Sequence, residues 1–478
     1  MLQLGVYYGR FYLSNAGEGI TMKNDTYANG DKLLRVLVVT LIFSVMNGTM
    51  FNVALPAIGK EFELLPSQVS WIMTSYMALY AIGSVVFGKL ADSYSLKSLI
   101  TCGLLLFAVG SVVGMLAVDF WMIILGRVLQ AAGAAVLPAI AMIIPIRYFE
   151  PEKRGRALGT SAIGLALGGA LGPIVSGMIM SFGSWRILFL FSLLPLLTIP
   201  FFRRYLNDER GTAKPLDVIG GGFLAAAVGL FLLAITQSSW AAAVIGGLFL
   251  LMFAIRIRKA VHPFIQPELF MNARYTGALV IAFISTSMNF SITFITPQYL
   301  TALNNLSAGS IGFVLVPAAI AAATLGRVGG KLADERGNST LFSIAAALLV
   351  LCFILTSTFV GISPYVIALL LIMGQVGQTF MQIAMSNTIS RTLSKEQVGV
   401  GMGLFSMLNF ISGAMAMSII GKVLDQSATW RLNPLTGNES AYVYSNIFFI
   451  MTALSILVWG LYQMQFGPKT DRRPFRNT

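Results

Sequence analysis

Charge is what this sequence lacks most. Asp, Glu, Lys and Arg make up 11% of its 478 residues, where soluble domains carry roughly a quarter. So few charges cannot cover the surface of a water-soluble globular fold, which excludes that class. Histidine occurs once, as His262 beside Pro263, so histidine alone cannot build a metal centre. The two cysteines, Cys102 and Cys352, fall in separate predicted helices and read as small buried hydrophobes rather than a disulfide. There is no catalytic grouping of His with Asp, paired carboxylates or metal ligands. This argues against a membrane enzyme and implies no cofactor. Of the 19 acidic residues, none lies in the middle of a predicted helix.

Apolar residues are abundant: 56% of the chain, with a mean hydropathy of +0.79. They occur in runs of about 20, the length that spans a bilayer as a helix. Backbone groups in lipid must pair within the segment, so an all-α polytopic membrane protein is expected. The pattern predicts fourteen spans, the first at 33–55 and the tenth at 309–330. Glycine (47) and methionine (23) suit close helix packing and gap filling. The net charge of +13 reflects topology rather than nucleic-acid binding. Lys89, Lys97, Arg147, Lys153, Arg154, Arg156, Arg203, Arg204, Arg256, Arg258, Lys259, Lys331, Arg336 and Arg391 all fall at one end of the spans. The other end holds only Lys60, Arg186, Lys422 and Arg431. The positive-inside rule then puts both termini in the cytoplasm. Residues 1–32 show no cleavable signal peptide and are expected to be disordered. Met22 is an alternative start, testable by mass spectrometry of the N-terminus.

An internal repeat sets the domain plan. Gly88-Lys-Leu-Ala-Asp92 follows the second span and Gly330-Lys-Leu-Ala-Asp334 the tenth, at the same end of each. Identity at equivalent topological positions points to parallel repeats. The expected layout is an N-terminal segment at 1–32, a six-helix bundle at 33–204, two inserted helices at 205–260, a second bundle at 261–465 and a tail at 466–478.

These residues resemble the major facilitator superfamily, in particular its 14-helix drug:proton antiporter branch, over nearly the whole chain from residue 33. The loop motif is carried by Gly88, Asp92 and Lys97, with Ser95 where the family has glycine. Its second copy keeps Gly330, Asp334 and Gly337. Arg127-Val-Leu-Gln130-Ala-Ala-Gly133 is similar to the family's helix-4 pattern, and Asn52-Val-Ala-Leu-Pro56 to its helix-1 end. Gly164, Gly168, Gly172, Pro173 and Gly177 match the antiporter motif of helix 5. Tyr442-Val-Tyr-Ser-Asn446 and Ser70-Trp71 are similar to the tetracycline-efflux subgroup. The resemblance implies a monomeric plasma-membrane exporter of small molecules, effluxing drugs or antibiotics such as tetracycline by proton antiport through alternating access. The two loop aspartates would latch the cytoplasmic gate.

Read physically, Arg127 is placed as the one basic residue well inside a helix, where an unpaired arginine costs about 3 kcal/mol or more. It is expected to face a central cavity, with Gln130. Gln375, Gln378 and Gln382 share one face of the twelfth span, for either substrate contact or interhelical bonding. Asn47, Asn289 and Asn409 are comparable single polar positions, and Tyr76 and Tyr80 either stack on a ligand or pack. One departure matters. The family's helix-1 aspartate is Asn47 here, and the subgroup's acids in helices 1, 5 and 13 align near Gly48, Gly169 and Gly413. A cavity with Arg127 and amides but no carboxylate suits neutral, zwitterionic or anionic compounds. It leaves open a facilitator, or an exporter of a metabolite such as a siderophore or peptide, that lacks carboxylate-based coupling.

Overall fold

The computed structural model describes residues 29–91, 93–208, 217–394, 397–426 and 428–467. Most of the N-terminal segment, Asp92 and the C-terminal tail lie outside the described residues. Among the described residues, fourteen helices are long and apolar enough to cross a membrane. They are α1 (Gly30–Glu61), α2 (Pro66–Leu90), α3 (Leu96–Met115), α4 (Phe120–Tyr148), α5 (Pro151–Phe182), α6 (Arg186–Tyr205), α7 (Val218–Gln237) and α8 (Trp240–Lys259). The second half comprises α9 (Ala273–Asn304), α10 (Ala308–Arg336), α11 (Asn338–Phe359), α12 (Pro364–Arg391), α13 (Val398–Leu424) and α14 (Tyr442–Phe466).

Several helices outrun the apolar windows that predict them. α1 continues through Pro56 to Glu61, and α10 through Pro317 to Arg336. Proline is tolerated in a packed transmembrane helix because neighbours restore the bonding of the freed backbone. Ser95 caps α3: its Oγ accepts the Ser98 backbone N–H at 3.3 Å, satisfying a donor that the family's glycine would leave free.

The two halves pack alike. In the first, α1 lies against α5, α3 against α4 and α6, and α2 against α4. In the second, α9 lies against α13, α11 against α12 and α14, and α10 against α12. Each helix thus finds the same partner eight places on, giving two six-helix bundles. They meet along two seams, α2 with α13 and α5 with α10. The inserted pair α7–α8 leans on the α2/α13 seam. It is bonded to α2 through Trp71 Nε1, which donates to Thr236 Oγ1 at 3.2 Å, and the loop after α8 is bonded through Lys89 Nζ, which donates to the Pro263 carbonyl at 2.8 Å.

The basic residues gather at the end of the bundles that carries both ends of the described chain, here termed the basic face. Two expectations need correction. Cys102 is exposed on α3, whereas Cys352 is buried; a soft thiol facing lipid costs little. Arg127 is not alone within a helix, since Arg35 lies in α1 and Arg327 in α10, both exposed.

Candidate functional site

Between the bundles lies a cavity of about 340 Å³, within the range of small-molecule sites. α5 contributes Ala166, Gly169, Ala170 and Pro173. The facing wall of α10 contributes Leu315, Ala318, Ala319 and Ala322. Both walls are therefore built of small or aliphatic groups. The polar lining comes from α1, α9 and α12. Its threonine hydroxyls are spent within their own helices: Thr293 donates to the Asn289 carbonyl at 2.9 Å and Thr379 to the Gln375 carbonyl at 2.8 Å. The side-chain amides of Asn289 and Gln375 have no protein partner among the described residues. Asn52 Nδ2 donates to the Thr49 carbonyl at 3.3 Å, while its buried Oδ1 has no donor. No charged side chain is among the lining residues.

The cavity is closed toward the face opposite the basic one. There Gly177 of α5 and Gly312 of α10 bring two backbones together: a Cβ on Gly177 would sit 2.6 Å from Gly312 Cα. Gly309 likewise abuts Ser181. On the other seam, Gly421 abuts Pro66 and Ser67, and Asp425 Oδ1 accepts the Ser67 backbone N–H at 3.0 Å. Toward the basic face the same helices separate. At 100° per residue, Gly155, Gly159, Ala162, Ala166 and Gly169 share one face of α5. The first four are exposed, and a Cβ on Gly155 or Gly159 would meet nothing within 4 Å. Ala323 and Gly330 continue the facing wall of α10, the first exposed and the second open to space. The cavity thus opens to the basic face.

Arg127 does not face this cavity, which corrects the expectation for it and for Gln130 and Asn47. All three are fully buried inside the first bundle. Arg127 Nη1 donates to Asn47 Oδ1 at 3.0 Å and to Gln130 Oε1 at 2.9 Å, and Nε donates to the Ile72 carbonyl at 3.1 Å. The guanidinium lies over the rings of Phe51 and Tyr76, 4.5 and 4.1 Å from their centroids. Gln130 Nε2 passes the network to Ser111 Oγ at 2.8 Å, and Asn47 Nδ2 to Ser192 Oγ at 2.5 Å. Glycine makes this burial possible. A Cβ on Gly133 would strike the Gly103 carbonyl, and one on Gly126 would lie 2.9 Å from the Gly110 carbonyl. α3 and α4 therefore touch along their backbones, and the guanidinium turns from α4 to α1 and α2, among Asn47, Phe51, Ile72 and Tyr76.

The glutamine stripe divides. Gln375 lines the cavity, Gln378 is buried with Nε2 unpaired, and Gln382 is exposed. Asn409 turns from the cavity to accept the Thr286 hydroxyl at 3.0 Å. Tyr76 and Tyr80 stack with centroids 5.7 Å apart, and Phe410 packs edge-on to Tyr80. Of the antiporter motif, Gly164, Gly168 and Gly172 seat α5 against Val38, Ile42 and Thr49 of α1. Gly177 makes the cross-bundle contact, and only Pro173 lines the cavity.

In the loop motifs, Gly88 and Gly330 border open space. Lys97 is half-buried, and Asp334 is exposed and unbonded among the described residues. Gly337 ends α10 at φ 85°, a conformation that favours glycine. The aligned glycines differ: Gly48 and Gly169 line the cavity, whereas a Cβ on Gly413 would strike Met77 and Phe290. Asn52, Thr49, Thr293, Thr296 and Thr379 line the cavity without being among the expected site residues, and of these Asn52 alone carries a side-chain amide. Its signal is a lone amide one turn beyond Gly48, on the same helix face.

Comparison with known proteins agrees with this architecture. The chain is 25% identical over 451 residues to the riboflavin transporter RibZ of Clostridioides difficile (strain 630), covering 92% of this chain and 98% of that protein. It is 24% identical to the methylenomycin A resistance protein of Bacillus subtilis (strain 168), covering 94% and 97%. The crystal structure of the peptide transporter POT with alafosfalin superposes with a TM-score of 0.67 at 17% identity, covering 91% of this chain and 95% of that one. Residues 37–417 match the pattern of the Major Facilitator Superfamily. The chain is therefore a multi-pass membrane protein of the Major Facilitator Superfamily, a transporter of small molecules and not an enzyme.

Proposed function

We propose that this protein exports uncharged small molecules across the plasma membrane by alternating access, with the basic face and both termini in the cytoplasm. The observation that carries the reading is the cavity open at the basic face and sealed opposite by Gly177 against Gly312. Such a cavity loads from the cytoplasm. Release outward requires the 33–204 and 261–465 bundles to rock about it, with the 205–260 insertion riding on α2. The antibiotic-resistance relative and the antiporter-like α5 support export, including drug or antibiotic efflux, and the riboflavin transporter supports an uncharged cargo. Tetracycline has less support, because two positions where its exporters carry acids are cavity glycines here.

A second reading, facilitated diffusion without proton coupling, is favoured by one observation: every acidic residue among those described sits at a helix end or in a loop. Proteoliposomes carrying an internal pH dye separate the two. Riboflavin uptake into inside-out vesicles with matching proton release establishes antiport, and uptake with no pH change establishes the facilitator. If neither riboflavin nor a panel of antibiotics moves, the export reading is refuted.

A further inference from the structure

Resting on the reading of the cavity as the transport path, we propose that it selects flat, uncharged heterocycles bearing lactam or imide groups. Gly48 and Gly169 are the residues that enforce the absence of charge.

Three unsatisfied amides converge on the cavity. Asn52 lines the cavity, and its Oδ1 is a buried acceptor with no donor; a turn of the side chain brings it to a ligand N–H, and a buried unpaired polar atom costs about 1–3 kcal/mol. Asn289 and Gln375 each hold a free carbonyl and a free NH₂. A lactam or imide carries N–H beside C=O and so offers both complements along one edge. The facing walls of α5 and α10 are small and aliphatic, and their backbones converge at Gly177 and Gly312. Gly169 lies eight residues below that contact, about 12 Å along the helix, so the space is a slot that narrows toward its closed end. A flat ring system fills such a slot with apolar contact on both faces.

No charged side chain lines the slot. Arg127 is enclosed within its own bundle and bonded to Asn47, Gln130 and the Ile72 carbonyl, and exposed Arg327 lies one turn beyond Ala323 on α10, toward the basic face. A charged ligand would therefore be desolvated without compensation. The glycines keep it so. A Cβ on Gly48 would meet nothing within 4 Å, and one on Gly169 only Val45 Cγ1 at 4.0 Å. A carboxylate at either position has room to enter the slot and would supply the missing charge.

The test is equilibrium binding to the purified full-length protein in nanodiscs. It uses two flat fluorescent probes that differ in charge: lumichrome, an uncharged tricyclic imide, and ethidium, a planar cation. The protein is expected to bind lumichrome saturably and ethidium not at all. Gln375→Ala should weaken lumichrome by about tenfold, the equivalent of about 1.4 kcal/mol. Gly169→Asp should exchange the preference, admitting ethidium. The isosteric Gly169→Asn should leave ethidium excluded, which separates charge from bulk. Ethidium binding as tight as lumichrome, or no lumichrome binding, overturns the proposal. So does lumichrome binding unchanged by both Gln375→Ala and Gly169→Asp. Ethidium-selective binding in a protein that still exports in vesicles would overturn the charge selectivity alone and leave the export reading intact.

Discussion

Replacing Arg127 with alanine should unravel the first bundle rather than blunt substrate recognition. The side chain is fully buried and holds three acceptors: Asn47 Oδ1, Gln130 Oε1 and the Ile72 carbonyl. Hydrogen bonds between membrane helices are worth about 0.6 kcal/mol on average and up to about 1.7, so three of them contribute about 2–5 kcal/mol. The faces of Phe51 and Tyr76 add about 2 kcal/mol for a desolvated cation–π pair. Set against this is the cost of an arginine at membrane depth, about 3 kcal/mol on insertion scales. The complete network more than offsets that cost, and the truncated one leaves the acceptors Asn47 Oδ1 and Gln130 Oε1 without a donor. The assay is thermal unfolding of detergent-purified protein, followed by the monodisperse peak on size exclusion. Arg127→Ala should melt well below the parent, and Arg127→Lys should recover only part of the loss, because an ammonium lacks the fork that reaches three acceptors. An Arg127→Ala protein with parental melting and no transport would refute the structural role and return the arginine to the transport path.

Three further outcomes are expected. Gly312→Val places a branched side chain where a Cβ would already strike Gly177; it should prevent closure of the outer face and stop transport, read as cysteine labelling of the cavity from outside. Asp425→Asn weakens the bond to the Ser67 N–H at the start of α2. Charged hydrogen bonds contribute about 1.5–3 kcal/mol, so spin labels at Leu65 and Val423 should report at least a severalfold rise in the separated population. Burial works to raise the Asp217 carboxyl, but the Gly220 backbone N–H and the Arg256 guanidinium outweigh it and hold the group below its usual range. With the folded pKa depressed, its stabilisation is present above the unfolded pKa of about 3.9 and is lost as pH falls through the folded value. Asp217→Asn should therefore lower thermal stability near neutral pH, by a modest amount because Arg256 is 40% exposed. That deficit should vanish in strong acid.

How much of the site was legible beforehand can be argued from single residues. Asn289, Gln375 and Pro173 read as polar or helix-breaking positions in apolar runs, and all three line the cavity. Arg127, Gln130 and Asn47 carried the same signal and ended in a closed network. A polar side chain at membrane depth must find a partner, but its sequence does not say whether that partner is a ligand or a neighbouring helix. Asn52 carries a family pattern that marks a helix end, and only the helix face it shares with Gly48 places it at the cavity.

The fourteen spans, the concentration of basic residues at one end and the twofold repeat were determined by sequence alone. Hydropathy over about 20 residues is a local property, and the basic residues cluster visibly in the connections between spans. Tertiary structure alone decided which polar groups share a cavity, that Gly48 and Gly169 open onto it while Gly413 is packed shut, and that the closed end is a glycine-to-glycine contact. These depend on how two bundles meet and on which end they splay. That relation joins residues 135 positions apart, Gly177 and Gly312, and no local pattern encodes it.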